Sequence, residues 1–245
     1  MGVARSFGCR VQDVDVGRIV TVTPLSSEES EADLDAMSFA DRAYLAIRDK
    51  LIMLDIRPND AIVESELAAE LQFGRTPVRE ALKRLEADRL VVSYPRRGTF
   101  ATGVDVADLR HISQIRVNLE PVASRTAAEV ASPATRDRLL KLADDTDALD
   151  VAGIDRNELM RWDLLVHRAI YRAAGNPHLE DVLVRYDNLA TRIFCLFLDR
   201  LPTVAKHVGE HTELLRTIAG GDGDAAAEIA LQHVIGFEES VRAIV

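Results

Sequence analysis

At 245 residues, 47% hydrophobic and 29% charged, the chain can bury a sizeable core and is long enough for two modest domains. No apolar run approaches the roughly 18 residues needed to cross a bilayer, and the first thirty residues lack a basic segment followed by a hydrophobic one. Membrane-spanning and secreted classes are therefore set aside, and the cytoplasm is the expected location. The net charge is −10, but it is unevenly spread: −4 over residues 1–37, +1 over 38–103 and −7 over 104–245. Two cysteines, Cys9 and Cys195, do not make a disulfide framework. Cys195, inside the run RIFCLFL, reads as a buried small hydrophobe.

Residues 1–37 include PLSSEESEADLDA, polar and acidic with little to bury, which reads as a disordered tail. The earlier VGRIVTVTP has the composition of a short strand. A domain is expected over 38–103. In SFADRAYLAIRDKLIML, Ala43, Ile47, Leu51 and Leu54 recur at helical spacing behind a Ser cap, and DIRPND ends the pattern. A second short helix, VESELAAEL, places Leu67, Ala68 and Leu71 on one side. A tight QFGRT turn follows, with Thr76 and Pro77 as N-cap and first position of a third helix running to about Asp88. LVVSYP, RRG and TFAT then read as strand, turn and strand. This order is that of a winged helix-turn-helix.

Residues 75–100 carry seven basic side chains against three acidic ones. At about 100° per residue, Val78, Leu82 and Leu85 form a narrow apolar stripe, while Thr76, Arg79 and Lys83 cluster elsewhere. A helix docked by one face with basic groups on another suits the major groove, where Arg79 can fork onto a guanine edge and Lys83 can reach phosphate. Arg96 and Arg97 at the hairpin tip are placed to touch the backbone or the minor groove. Any single arginine of this kind is ordinarily a solvated charge; the conjunction of turn, capped helix, basic face and basic wing points to DNA.

The run LAAELQFGRTPVREALKRLEADRLVVSYPRRGTF resembles the winged-helix domain of GntR-type bacterial transcription regulators. The resemblance implies that Arg75, Thr76, Arg79 and Gly98 contact operator DNA. Two positions depart from the family pattern: Gly74 stands in place of the usual Ser or Thr, and Asn59 where a glycine normally follows the proline of RPND. Neither removes an arginine, so altered affinity or specificity is expected rather than lost binding.

From Val104 the sequence is helical almost throughout, with helices expected near 105–130, 134–150, 155–174, 177–200, 203–219 and 223–243, an all-α six-helix bundle over 104–245. Within it, Asp163 and His167 lie four apart on a face shared with Leu159, Val166 and Ile170. His211 is in register with Val204, Val208, Leu215 and Ile218, and His233 sits between Ile229 and Phe237. Taken singly, each histidine is ordinarily a hydrogen-bonded core residue. Together, one Asp and three His aimed at the core suit a divalent transition ion such as Zn²⁺, Ni²⁺, Mn²⁺ or Fe²⁺, which would satisfy a carboxylate otherwise costly to bury. His207, one turn before His211, is placed nearer solvent and outside the ligand set.

This half resembles the FCD ligand-binding domain of the FadR subfamily, in its shorter, VanR-type version, with AGNPHL and GGDGDAAAEIALQH matching its loops. The resemblance implies metal ligation by Asp163, His167, His211 and His233, and a small organic carboxylate as effector. It also implies a role for Arg116, in SQIRVNLEP, in holding that acid; a salt bridge to Glu120 or another acid explains the same arginine. The resulting expectation is a DNA-binding regulator, a repressor in most such proteins, acting as a homodimer because one recognition helix reads only a few base pairs. Two rival readings stay open at this point: a metal-dependent enzyme using the Asp/His₃ group to activate water, and a metal that only stiffens the bundle. No nucleophile motif and no general base beside the ligands favours the enzyme.

Overall fold

The computed structural model describes residues 37–150, 153–201 and 204–245. The acidic segment, except Met37, lies outside the described residues, as do Cys9 and VGRIVTVTP. Helix α1 spans Phe39–Ile52, and the Ser38 hydroxyl accepts the Asp41 N–H at its start. It stops at Met53; Leu54 has φ +65° and so lies beyond the helix rather than on its apolar stripe. Helices α2 (Glu64–Glu70) and α3 (Arg75–Ala87) form the helix-turn-helix. The residue that turns the chain is Gln72, at φ +57°, with Phe73 N–H donating to Ala68 O at 3.0 Å. Gly74 is extended (φ −71°, ψ 160°) and is the N-cap of α3, without a side chain to accept. Thr76 and Pro77 are therefore the second and third helical residues, not cap and first. Pro77 costs nothing there, because the first helical N–H groups have no intrahelical partner.

Strands β1 (Ala61–Ile62), β2 (Val91–Tyr94) and β3 (Gly98–Ala101) form an antiparallel sheet in the order β1-β3-β2. The hairpin follows the expected strand-turn-strand order, with Val91 opposite Ala101 and Tyr94 opposite Gly98. β1 was not foreseen, since two residues are too few to show alternation. At the tip, Arg97 N–H donates to Tyr94 O at 3.1 Å and Arg96 has φ +64°, a type II turn around Pro95. Gly98 follows at φ +98°, which an L side chain resists. Asn59 adopts φ +70°, and its N–H donates to Ala101 O at 3.1 Å. Asn is the side chain that best tolerates this left-handed region after Gly, so it replaces the expected glycine with little strain.

The bundle comprises α4 (Asp108–Val130), α5 (Pro133–Asp147), α6 (Arg156–Ala173), α7 (Pro177–Cys195), α8 (Val204–Gly220) and α9 (Gly223–Arg242). The expected fourth segment is shorter than read: α7 ends at Cys195, and a 3₁₀ turn covers Leu198–Arg200. Ser132, Asp155, Asn176 and Asp222 each accept a first-turn N–H, which is why helices start where the small polar residues stand. Gly175 and Gly221 take positive φ just past the ends of α6 and α8.

Three apolar clusters organise the molecule. One, around Ala43, Ile47, Leu51, Val78, Leu82 and Leu85, is the core of the winged helix. A second, with Val166, Ile170, Leu215 and Ile218, fills one end of the bundle. The third, with Met160, Leu164, Phe194 and Phe237, also takes in Ile52 and Met53 from the end of α1, so it joins the two parts. Arg192, 1% exposed, reinforces the joint: Nε donates to Leu51 O at 3.1 Å, and the two terminal nitrogens donate to Thr102 Oγ1 and O at 2.7 and 3.0 Å.

Candidate functional site

Helix α3 separates its two chemistries as its spacing requires. Val78, Ala81, Leu82 and Leu85 are buried, whereas Arg75, Thr76, Arg79 and Lys83 are exposed. Arg96, Arg97 and Gly98 are exposed at the wing tip. Arg79 is engaged within the protein: its Nε and Nη2 donate to Glu64 Oε2 at 3.1 and 2.8 Å, across the turn from the first residue of α2. This ion pair was not anticipated from the sequence, because the partners are fifteen residues apart and on different helices.

In the bundle, α6 supplies Asp163 and His167, α8 supplies His211 and α9 supplies His233. One ligand atom from each lies within 4.8 Å of the others, and all four residues are at most 4% exposed. Asp163 Oδ1 is 3.6 Å from His211 Nε2 and 4.0 Å from His167 Nε2, and the latter two nitrogens are 3.3 Å apart. Two of the three outer ring nitrogens have partners of their own, and His211 Nδ1 has none. His167 Nδ1 lies 3.1 Å from Tyr171 Oη and 3.5 Å from Glu120 Oε2, and His233 Nδ1 lies 3.3 Å from Glu210 Oε2. A proton on each Nδ1 satisfies these contacts and leaves the Nε2 lone pairs facing inward, the arrangement that carboxylates and hydroxyls impose on metal-ligating imidazoles. Asp163 Oδ1 and His233 Nε2 are buried with no hydrogen-bond partner. A native core rarely leaves such atoms orphaned, so a coordinated ion fits this donor set.

Burial is the main influence on Asp163 and on the four histidines. It holds His167, His207 and His233 well below the usual imidazole range and His211 down to about 3, while it pushes the Asp163 carboxyl well above its usual range, with Asp187 adding to the push. Neutral imidazoles are the state in which histidine binds metal.

His207 departs from its expected position. It is 7% exposed, its ring stacks on His233 at 4.0 Å, and its Nε2 is 3.5 Å from Asp163 Oδ1. Helix α8 brings both of its histidines inward, because residues four apart share a face. Arg116 is 2% exposed and committed on two sides: Nε donates to Glu120 Oε1 at 2.5 Å, and Nη2 lies 3.2 Å from Asp187 Oδ1. Its guanidinium sits 5.3 Å from the centre of the Phe237 ring, one turn from His233. The Glu120 partner was foreseen; Asp187, on α7, was not.

Residues 39–101 match the model of the bacterial regulatory proteins of the gntR family, and residues 111–236 match the FCD domain. The chain belongs to the GntR family of regulators that carry an FCD domain. It is thus a DNA-binding transcriptional regulator and not an enzyme. One relative, an HTH-type transcriptional regulator in the TAR-I ttuE-ttuC′ intergenic region of Agrobacterium vitis, is 32% identical over 61% of this chain and 90% of its own length. The HTH-type transcriptional repressor RspR of Escherichia coli is 25% identical over 82% of this chain and 88% of its own. Among solved structures, E. coli McbR/YncC aligns with a TM-score of 0.74 at 19% identity, covering 85% of this chain and 99% of that one, which shows a shared fold. In GntR-FCD terms, the exposed basic face belongs to the first matched region and the Asp/His group to the second. No helix among the described residues is long and apolar enough to cross a membrane.

Proposed function

We propose that this GntR-FCD regulator is a cytoplasmic, metal-dependent repressor. Residues 38–103 read operator DNA, and residues 104–245 bind a divalent transition ion and a small organic acid. The observation that carries this reading is the convergence of four metal-competent atoms within 4.8 Å in a buried core, with Asp163 Oδ1 and His233 Nε2 unpartnered. Asp163, His167, His211 and His233 would hold the ion, and the nearby His207 Nε2 makes a fifth donor available. When bound, the ion supplies a Lewis-acidic positive charge that attracts a carboxylate or hydroxy-acid oxygen. Zn²⁺, Ni²⁺, Mn²⁺ and Fe²⁺ all suit this donor set.

Arg116 sets the electrostatics next to the ligands. Paired with Glu120 and Asp187, it contributes to an effector site by positioning Glu120, which in turn faces His167 Nδ1. On the DNA side, Arg75, Thr76, Arg79 and Lys83 enter the major groove of one half-site, and Arg96, Arg97 and Gly98 follow the adjoining backbone. A homodimer doubles this footprint on a palindromic operator. Repression is the sign suggested by relatives named as repressors, RspR and GlaR of E. coli.

Elemental analysis of the purified protein beside Asp163→Ala, followed by mobility-shift titrations on its own promoter fragment with and without chelator and small organic acids, tests the reading. Stoichiometric metal in the wild type only, with operator affinity that responds to acid when metal is present, is the expected result. Equal metal content in both proteins would reject the ligand set.

A further inference from the structure

A cavity of about 460 Å³ lies where the winged helix meets the bundle, walled by α1 and α3 on one side and α6 and α7 on the other. It is distinct from the Asp/His group, and its lining is rich in arginine. Its five arginines share the lining with Asp88, Glu180 and Asp181, and three of them are accounted for: Arg84 is paired with Asp41 at 2.6 Å, Arg172 Nε lies 3.7 Å from Glu180 Oε1, and Arg185 lies 3.5 Å from Asp88. Two others, Arg48 and Arg168, are each 7% exposed. Arg168 donates from Nη2 to Asn188 Oδ1 at 2.9 Å, but its Nε and Nη1 have no partner, and neither does Arg48 Nε. Among the described residues, neither guanidinium has a carboxylate within ion-pair distance.

Two neighbouring guanidiniums, buried with free donors, are unfavourable by themselves on two counts. Each loses hydration, and each repels the other. A charge arrangement of this kind is relieved by an anion with several oxygens. The planar guanidinium fork matches phosphate and carboxylate geometry bidentately, and the cavity falls in the size range of small-molecule sites.

We propose that this cavity is a second ligand site, which binds a small multiply charged oxyanion between Arg48 and Arg168. Phosphorylated metabolites and dicarboxylates share this chemistry. Arg48 belongs to α1 of the winged helix and Arg168 to α6 of the bundle, so an anion held by both clamps the DNA-binding part to the sensing part. Arg168 also directly follows His167, so α6 presents the metal group on one face and the anion site on another. The site stands independently of the metal reading.

The test is a calorimetric and thermal-shift titration of the full chain with inorganic phosphate, with ionic strength held constant by sodium chloride. One phosphate per chain, a raised Tm and at least a tenfold loss of affinity in both Arg48→Gln and Arg168→Gln are expected, while His211→Ala retains phosphate binding. Should Arg168→Gln fail to fold, Arg48→Gln and Arg48→Lys carry the test, the lysine variant binding more weakly than wild type because it keeps the charge without the fork. Succinate and a sugar phosphate are then competed against phosphate: displacement by either upholds the site and identifies which source of oxyanion it prefers. Stabilisation matched by chloride alone, or unchanged phosphate affinity in the arginine variants, overturns the proposal.

Discussion

Away from the joint where Arg48 and Asp49 are buried, the winged helix and the bundle treat charge in opposite ways. In the winged helix the core around Ile47, Leu51, Val78 and Leu85 is apolar, and Arg75, Arg79, Lys83, Arg96 and Arg97 stand in solvent. In the bundle, Asp163, His167, His211, Arg116, Glu120 and Asp187 are all at most 2% exposed. Exposed charges cost little to maintain and are free to meet a polyanion that arrives from outside. Buried ones must be satisfied where they are, and Asp163 Oδ1 and His233 Nε2 are not satisfied by the protein alone. The surface of the first part therefore suits a large partner, and under the proposed reading the interior of the second suits a small one.

The largest effect is expected where burial is deepest. Restoring a transition metal to chelated protein, at a thousandfold excess over Kd, should add about 4 kcal/mol to unfolding free energy. His211→Ala combined with His233→Ala should abolish that increment and the bound metal while the circular dichroism stays helical. Undiminished metal content in the double variant would break the contrast between the two parts.

Next comes the joint between them. Arg192→Ala would leave Leu51 O and Thr102 O without their donor in a buried setting, at a cost of about 1–3 kcal/mol for each acceptor so stranded. Urea unfolding of the variant should show that loss. If the midpoint is unchanged, water replaces the guanidinium and the joint is looser than its hydrogen bonds imply.

On the exposed face, Arg79→Ala should weaken specific operator binding by about 1–3 kcal/mol and relax discrimination at one base position, read by mobility shift against matched and mutated sites. Equal affinity for both proteins would remove Arg79 from base recognition. The smallest effect belongs to its partner: Glu64→Gln breaks a solvent-exposed ion pair and should change operator affinity by less than about 1 kcal/mol. A larger change would mean that Glu64 orients Arg79 for the groove rather than simply occupying it between encounters.

Some features were legible because they depend on neighbours in the chain. The helix starts at Ser132, Asp155 and Asn176 are local hydrogen bonds, and the segregation of Val78, Leu82 and Leu85 from Arg79 and Lys83 follows from the helical repeat. The inward face of α6 was readable for the same reason, since Asp163 and His167 are one turn apart. Other features were not. The position of Gly74 invited its reading as part of the turn, yet backbone hydrogen bonding puts the left-handed residue at Gln72. Periodicity puts His207 on the same face as His211, but how far that inward face extends toward the end of α8 was not encoded locally, and it is the packing of α9 that buries both rings.

By itself, then, the sequence determined the element types, the order of a winged helix before a helical bundle, and which residues form its apolar and basic faces, because these rest on periodicity, capping and turn chemistry over a few residues. The tertiary structure alone decided that Arg79 pairs with Glu64, that Asp187 joins Glu120 around Arg116, that Arg192 ties the two parts together, and that Arg48 and Arg168 share a cavity. Each of these joins residues on different helices, and such pairings follow from how whole faces pack, which local spacing does not encode.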